Sequence, residues 1–311
     1  MRKTTQMAVV MCFLALFGCN MPKEEAVVLE YDNILIYTDL SNRLEKAPND
    51  TMVINQITKF FVTDCVRPGI KVNDLSSISF SRVNMFKSNC STAKIDIGEI
   101  VSLEEKQLYV NDRGKTNNLS VDIHKFKKTI VCNYLEKDEG GLDILSLLHN
   151  EINSGNNIKK PTFINGENDT TKIVFYNHLF LFTDGYLEYN TKTGGSDFYF
   201  GQPQIEKVRE FCRTNKIALD EAIKINPDFK LRPLKSENNK YVTLYIMETY
   251  DRGLNEQKGT LKNTGDLSDN NILRLVWQTW ASESGFKGFV WKQITKPSSL
   301  PKDYIKSVIT R

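Results

Sequence analysis

Two segments of one design constrain this chain most. Asn33-Ile34-Leu35-Ile36-Tyr37-Thr38-Asp39-Leu40-Ser41 is a short apolar run that ends in an acid and a hydroxyl. His178-Leu179-Phe180-Leu181-Phe182-Thr183-Asp184-Gly185 repeats the design much later in the chain. Unbroken runs of this length are expected for strands buried on both faces, as in parallel sheets covered by helices. In open α/β sheets the carboxyl ends of the strands line the ligand crevice. The pair therefore predicts one shared edge that carries Asp39, Ser41 and Asp184.

The segments between them fit that class. Pro48-Asn49-Asp50 starts a helix that runs to about Val66, with Val53, Ile57, Phe60 and Phe61 at helical spacing and Pro68-Gly69 as its stop. Ser77 to Val83 alternates with period two and predicts a strand. Within 90–117, Lys94-Ile95-Asp96-Ile97 and Gln107-Leu108-Tyr109-Val110 read as strand pieces of an edge hairpin or insertion. Asn118 opens a helix on Leu119, Ile123, Phe126, Ile130 and Tyr134, and Gly140-Gly141 separates it from a shorter helix over Leu142 to Ile152. Residues 154–171 are rich in Asn, Gly, Lys and Thr and predict a surface loop. A helical pattern over 204–225, a strand over 241–247, a helix from Ser268 to Gly285 and a strand over 288–292 complete the chain. Strands alternate with helices, so the expected class is α/β, doubly wound, with a mostly parallel sheet flanked by helices.

The N-terminus predicts export. Met1-Arg2-Lys3 is a charged start, Met7 to Phe17 is an apolar stretch too short to span a bilayer, and Leu16-Phe17-Gly18-Cys19 sets a small residue before a cysteine. This pattern resembles the lipobox of bacterial lipoproteins, which implies a leader over 1–18, an acylated Cys19 and a tether over 19–30. An ordinary leader with a chance cysteine is the alternative. No aspartate follows Cys19, which favours the outer over the inner membrane in a Gram-negative envelope. The formal charge of +3 falls to about +1 without Arg2 and Lys3, and no basic stripe appears, so nucleic acid is not an expected partner. Cys65, Cys90, Cys132 and Cys212 remain in the exported chain, with three full pairings open and a buried free thiol as the alternative for Cys65 and Cys132.

Asp39-Leu40-Ser41, Gly140-Gly141-Leu142-Asp143 and Thr183-Asp184-Gly185, in this order, resemble a von Willebrand factor A-like domain over residues 31–292, with a C-terminal extension over 293–311. The resemblance implies a Rossmann-like fold and a binding module that recruits a protein partner in the cell envelope. In that family a metal-ion-dependent adhesion site often holds magnesium. Carried over residue by residue, Asp39, Ser41 and Asp184 match its ligands, and Asp143 can supply a substitute oxygen. Arg43 stands where a second serine belongs and Leu142 where a threonine belongs. Magnesium keeps about six oxygens around it, so two missing ligands and an added cation predict a degenerate site without strong metal dependence. An ion-free arrangement in which Arg43 pairs with Asp39 or Asp184 is expected instead, with Asn42, Arg43 and Gly185 on the binding edge.

Two other classes compete. Haloacid-dehalogenase-like phosphohydrolases also place an aspartate after the first strand, but they need a second acid two residues on, where this chain has Ser41. A passive structural lipoprotein is the third. His124, His149 and His178 lack a metal-ligand companion at helical spacing, and no phosphate loop or nucleophile elbow occurs.

Overall fold

A computed structural model describes residues 27–40, 46–71, 73–82, 90, 92–136, 143–154, 157–165, 170–189, 198–255, 260–261, 265–294 and 299–309. Within these, the strands are β1 (Val27–Thr38), β2 (Ser77–Arg82), β3 (Ala93–Asp96), β4 (Thr162–Asn165), β5 (Thr170–Phe182), β6 (Val242–Thr249), β7 (Leu254–Asn255), β8 (Thr260–Leu261) and β9 (Gly288–Gln293). The α-helices are α1 (Ala47–Phe60), α2 (Leu103–Val110), α3 (Leu119–Leu135), α4 (Ile144–Asn153), α5 (Gln202–Asn215), α6 (Leu219–Ile225), α7 (Asp269–Ser284) and α8 (Tyr304–Val308). The leader, Cys19, Ser41, Asn42, Arg43, Gly140, Gly141 and Leu142 lie outside the described residues.

The chain divides into a small unit, whose described parts are 27–29, 161–165 and 170–174, and a main unit that holds the rest. The sheet of the main unit runs β3-β2-β1-β5-β6-β9. The pairs β1–β2, β5–β6 and β6–β9 are parallel, and the edge pair β2–β3 is antiparallel. β1 and β5 also run the same way, because Asn33 bonds Asn177 midway along the two strands and Asp39 N bonds Phe182 O at their ends.

Period-two alternation sends successive side chains to opposite faces, and each face has its own core. Leu35, Tyr37, Leu179, Leu181, Leu244 and Ile246 pack beneath α4, α5, α6 and α7. Ile34, Ile36, Phe80, Phe180, Phe182 and Met247 pack beneath α1, α2, α3 and α8. The sheet is thus covered on both sides, a mostly parallel, Rossmann-like α/β arrangement. Ile305 and Val308 of α8 lie in the stretch expected as an extension, yet they are buried in this second core. Among the described residues no helix is long and apolar enough to cross a membrane.

Two local expectations are corrected. Gln107–Val110 alternates like a strand but belongs to helix α2, whose Ser102 cap accepts from Glu105 N. Its buried residues are Lys106, Tyr109 and Val110, at helical spacing, and the lysine member hides the apolar pattern. Residues 154–171 are not one loop, because β4 lies within them and pairs antiparallel with the start of β5. All four β4 side chains are exposed, so no inward-outward alternation marks the strand in the sequence.

Buried polar groups are tied in. His178 sits between Asp32 Oδ1 and the Tyr245 hydroxyl, each at 3.1 Å. The ring joins β1, β5 and β6 in mid-sheet, and with all three residues buried this is a structural contact. Cys90 and Cys132 form a disulfide, while Cys65 and Cys212 are buried thiols outside it.

Candidate functional site

The strand order reverses between β1 and β5, since the connection from β1 leads outward to β2 while β5 begins the other half of the sheet. That reversal is the topological switch point of a doubly wound sheet, and ligands bind there beyond the carboxyl ends of the strands. Asp39 follows β1 and Asp184 follows β5, so both stand at it. Asp39 N donates to Phe182 O at 2.9 Å and Thr183 N to Met247 O at 3.3 Å, which stitches the ends of β1, β5 and β6 together. The Thr183 hydroxyl donates to Asp39 Oδ2 at 3.2 Å and accepts from Gly185 N at 3.2 Å. Asp39, Thr183 and Asp184 are all buried.

Asp184 is held from two directions. Its Oδ1 accepts from Tyr186 N at 3.1 Å, a turn contact common for aspartate. Its Oδ2 accepts from Arg252 Nε at 3.0 Å and Nη2 at 2.7 Å. Arg252 lies in the turn after β6, reaches Glu188 with Nη1 and stacks over the Tyr186 ring at 4.1 Å. Burial alone would lower the Arg252 pKa, but the charges and hydrogen bonds of Asp184 and Glu188 more than offset that and hold it above its ordinary value.

A second ring of charges supports the first. The Tyr186 hydroxyl donates to Asp269 Oδ2 at 2.8 Å and accepts from Arg252 N at 3.2 Å. Burial pushes the Tyr186 pKa up, and Asp269 adds to this against the lowering effect of the Arg252 N–H, so the hydroxyl stays a donor. Asp269 opens α7 behind the Ser268 cap, where a helix N-terminus favours an acid, and it is paired with the buried Arg209. Asp251 caps the same edge, its Oδ1 accepting from Gly253 N at 2.8 Å and its Oδ2 from Asp269 N at 3.1 Å.

Burial, then the charge of Asp269, push the Asp251 pKa up, and backbone N–H groups only partly counter them. A carboxyl with a raised folded-state pKa contributes stability below its unfolded value and loses it as pH rises through the folded value. Relative to Asp251→Asn, the wild type should therefore lose stability as pH climbs through and above the usual carboxylate range. Urea unfolding of both proteins at a series of pH values measures this, and a flat or rising difference would count against it.

The two glycine-side contacts are specific. Gly185 has φ +93°, and a Cβ there would lie 2.6 Å from the Trp291 ring. Trp277 Nε1 donates to Gly185 O at 2.8 Å, and Trp291 Nε1 donates to Asn270 Oδ1 at 2.8 Å. The tryptophans of α7 and β9 thus fix the Thr-Asp-Gly turn from below. Glu248, fully buried at the end of β6, has φ +59° beside a register shift in the β6–β9 pair. Left-handed backbone at a non-glycine residue is costly and is concentrated at functional edges.

Of the residues expected at the site, the structure brings together Asp39, Asp184 and Gly185. Asp143 is committed elsewhere, since its carboxylate caps α4 by accepting from Ser146 N at 3.1 Å and Ser146 Oγ at 2.8 Å. Ser41, Asn42 and Arg43 lie outside the described residues. An arginine does pair with Asp184, and it is Arg252. Glu188, Asp251 and Arg252 carried no local signal and Asp269 only that of a helix start, whereas Met247-Glu248 repeats the apolar-run-into-acid pattern that marked Asp39 and Asp184.

A divalent ion does not fit these residues. Both Asp184 oxygens already accept hydrogen bonds, and the Oδ2 partner is a fixed cation. Unit charges at 4 Å interact by about 4 kcal/mol at an effective dielectric of 20, so a divalent ion beside this guanidinium meets roughly twice that in repulsion. Among the described residues no cluster of three His, Cys, Asp or Glu side chains is arranged to hold a metal.

Removing Arg252 should therefore be costly. Arg252→Met leaves Asp184, 3% exposed at its side chain, charged and unpaired. The expected loss is about 2–3 kcal/mol, below the range for fully buried pairs because the arginine is partly exposed. Adding Asp184→Asn should restore part of it. A denaturation cycle over the four proteins reads the coupling, and strict additivity would contradict the pairing.

No protein-family model matches the chain, and no curated protein and no solved structure matches it either.

Proposed function

We propose that this protein is a lipid-anchored binding module of the cell envelope, with a von Willebrand factor A-like domain whose adhesion site has lost its ion. The observation that carries this reading is Arg252 on Asp184 at the switch point, where a metal-dependent relative would hold a cation. The guanidinium neutralises Asp184 and keeps the edge folded without a metal. Glu188 and Arg252, with side chains 30% and 33% exposed, set an ion pair at that edge, suited to a protein partner that presents charged groups. The leader and Cys19 supply the anchor, in the outer membrane of a Gram-negative envelope. The Cys90–Cys132 disulfide supports an oxidising compartment, since such bonds are rare in reducing ones.

Two measurements test the reading. Millimolar magnesium or manganese should leave the thermal midpoint where chelator leaves it. A saturable rise that disappears in Asp39→Ala would overturn the ion-free site. Photo-crosslinking groups placed at Glu188 in the intact cell should capture a protein partner, and the same group at Val121 on α3 should not. Equal capture at both positions would remove the case for a partner at this edge, and turnover of a phosphate ester lost in Asp39→Asn would replace binding by phosphohydrolase chemistry.

A further inference from the structure

We infer that the small unit makes a second contact with the lipid bilayer, beside the acylated Cys19. This rests on the lipoprotein reading above. The unit's described residues are Val27–Leu29 and the β4–β5 hairpin over 161–165 and 170–174. Val27 is 55% exposed, Val28 52%, Leu29 38%, Phe163 63% and Ile164 56%. Single exposed apolar side chains are ordinary, but five of them concentrated in so small a unit mark it as an interaction surface.

Three features point to lipid as the occupant. First, position: Val27 follows Cys19 by eight residues. An extended chain spans at most about 3.5 Å per residue, so the patch begins within roughly 28 Å of the acyl chains. Second, distribution: Phe163 pairs with Lys172 and Ile164 with Thr171. Adjacent strand residues point to opposite faces, so both sides of the hairpin carry a large apolar side chain. A rigid protein surface covers one side, whereas a fluid interface wets both. Third, charge: Lys172, the cross-strand partner of Phe163, sets a cation beside the apolar side chains of the hairpin. Its stem can lie along the apolar surface while its ammonium meets a phosphate headgroup.

The contact is shallow. β4 has four residues, about 13 Å at ~3.3 Å per residue, far less than the ~30 Å hydrocarbon core, so the strands lie in the headgroup layer rather than crossing it. Among the described residues β4 pairs only with β5, and such a contact also covers its other edge, which would otherwise invite pairing with other chains.

The test uses the chain extracted from membranes and returned to phosphatidylethanolamine–phosphatidylglycerol vesicles with brominated acyl chains. Emission added by Phe163→Trp or Ile164→Trp should be quenched there, while that of Val121→Trp, also at an exposed apolar position, should persist. Lys172→Glu should weaken the quenching at Phe163→Trp. Equal behaviour of Phe163→Trp and Val121→Trp would overturn the inference, as would a protein crosslink at Ile164 without quenching. The mass of the N-terminal peptide judges the anchor separately. Acylated Cys19 without quenching removes only the hairpin contact, and quenching with unmodified Cys19 removes only the lipoprotein reading.

Discussion

Gly185→Ala is expected to destabilise the protein by about 3–5 kcal/mol, from roughly 1–3 kcal/mol of backbone strain and a similar amount of overpacking. The backbone contribution follows from φ +93°, where an L side chain is strained. Overpacking follows because the new methyl would stand 2.6 Å from Trp291 Cη2, and the ring cannot easily withdraw. Its Nε1 is bonded to Asn270, which is bonded in turn to Thr249, and its ring packs against Trp277 and Phe289. Gly285 supplies the control. It has φ +86° at the end of α7 with nothing within 4 Å of an added Cβ, so Gly285→Ala carries only the backbone cost, about 1–2 kcal/mol. Urea denaturation of both variants isolates the tryptophan contact as their difference. Equal losses would mean that Trp291 yields and does not hold the Thr-Asp-Gly turn.

That contact shows where sequence reading reaches and where it stops. The buried runs of β1, β5 and β6 were legible because both faces of each strand are covered, which leaves an unbroken apolar string. The limits of α7 were legible because Ser268 and Gly285 are a strong cap and a strong stop. Asp39 and Asp184 were legible as a pair because an acid directly after a buried strand has one place to go, the carboxyl edge. The partner of Asp184 was not. Arg252 arrives from a turn 68 residues further along, and only the pairing of β5 with β6 brings that turn beside Asp184. Arg43, the candidate close to Asp39 in the chain, lies outside the described residues. Asp143 failed for a different reason. An acid before a helix satisfies the helix's own N–H groups first, and its side chain then has little capacity for anything else. The consequence for function is direct. A site matched on its acids alone resembles a metal site, and it takes the cation among them to show why a metal does not fit.

Loss of the Cys90–Cys132 bond is expected to cost up to about 4 kcal/mol, the chain-entropy value for closing a loop of about 40 residues. The bridged cysteines are 42 residues apart, and the loop between them contains β3, α2 and most of α3. Phe126 and Ile130 of α3 pack in the same core as Ala93 and Ile95 of β3, so the bond closes a stretch whose ends already meet in the native fold. Its effect therefore falls mainly on the unfolded chain. A Cys90→Ser, Cys132→Ser double variant should lose that stability in oxidising buffer, and reductant should bring the wild type to the same midpoint without moving the variant's. Cys65 and Cys212, 0% and 3% exposed, give an internal count. In a chain without its leader and with Cys19 acylated, two thiols should react on unfolding under oxidising conditions and four after reduction. Four reactive thiols in protein isolated without reductant would mean that the bond does not form in the cell, and the oxidising envelope would lose its support from this side of the molecule.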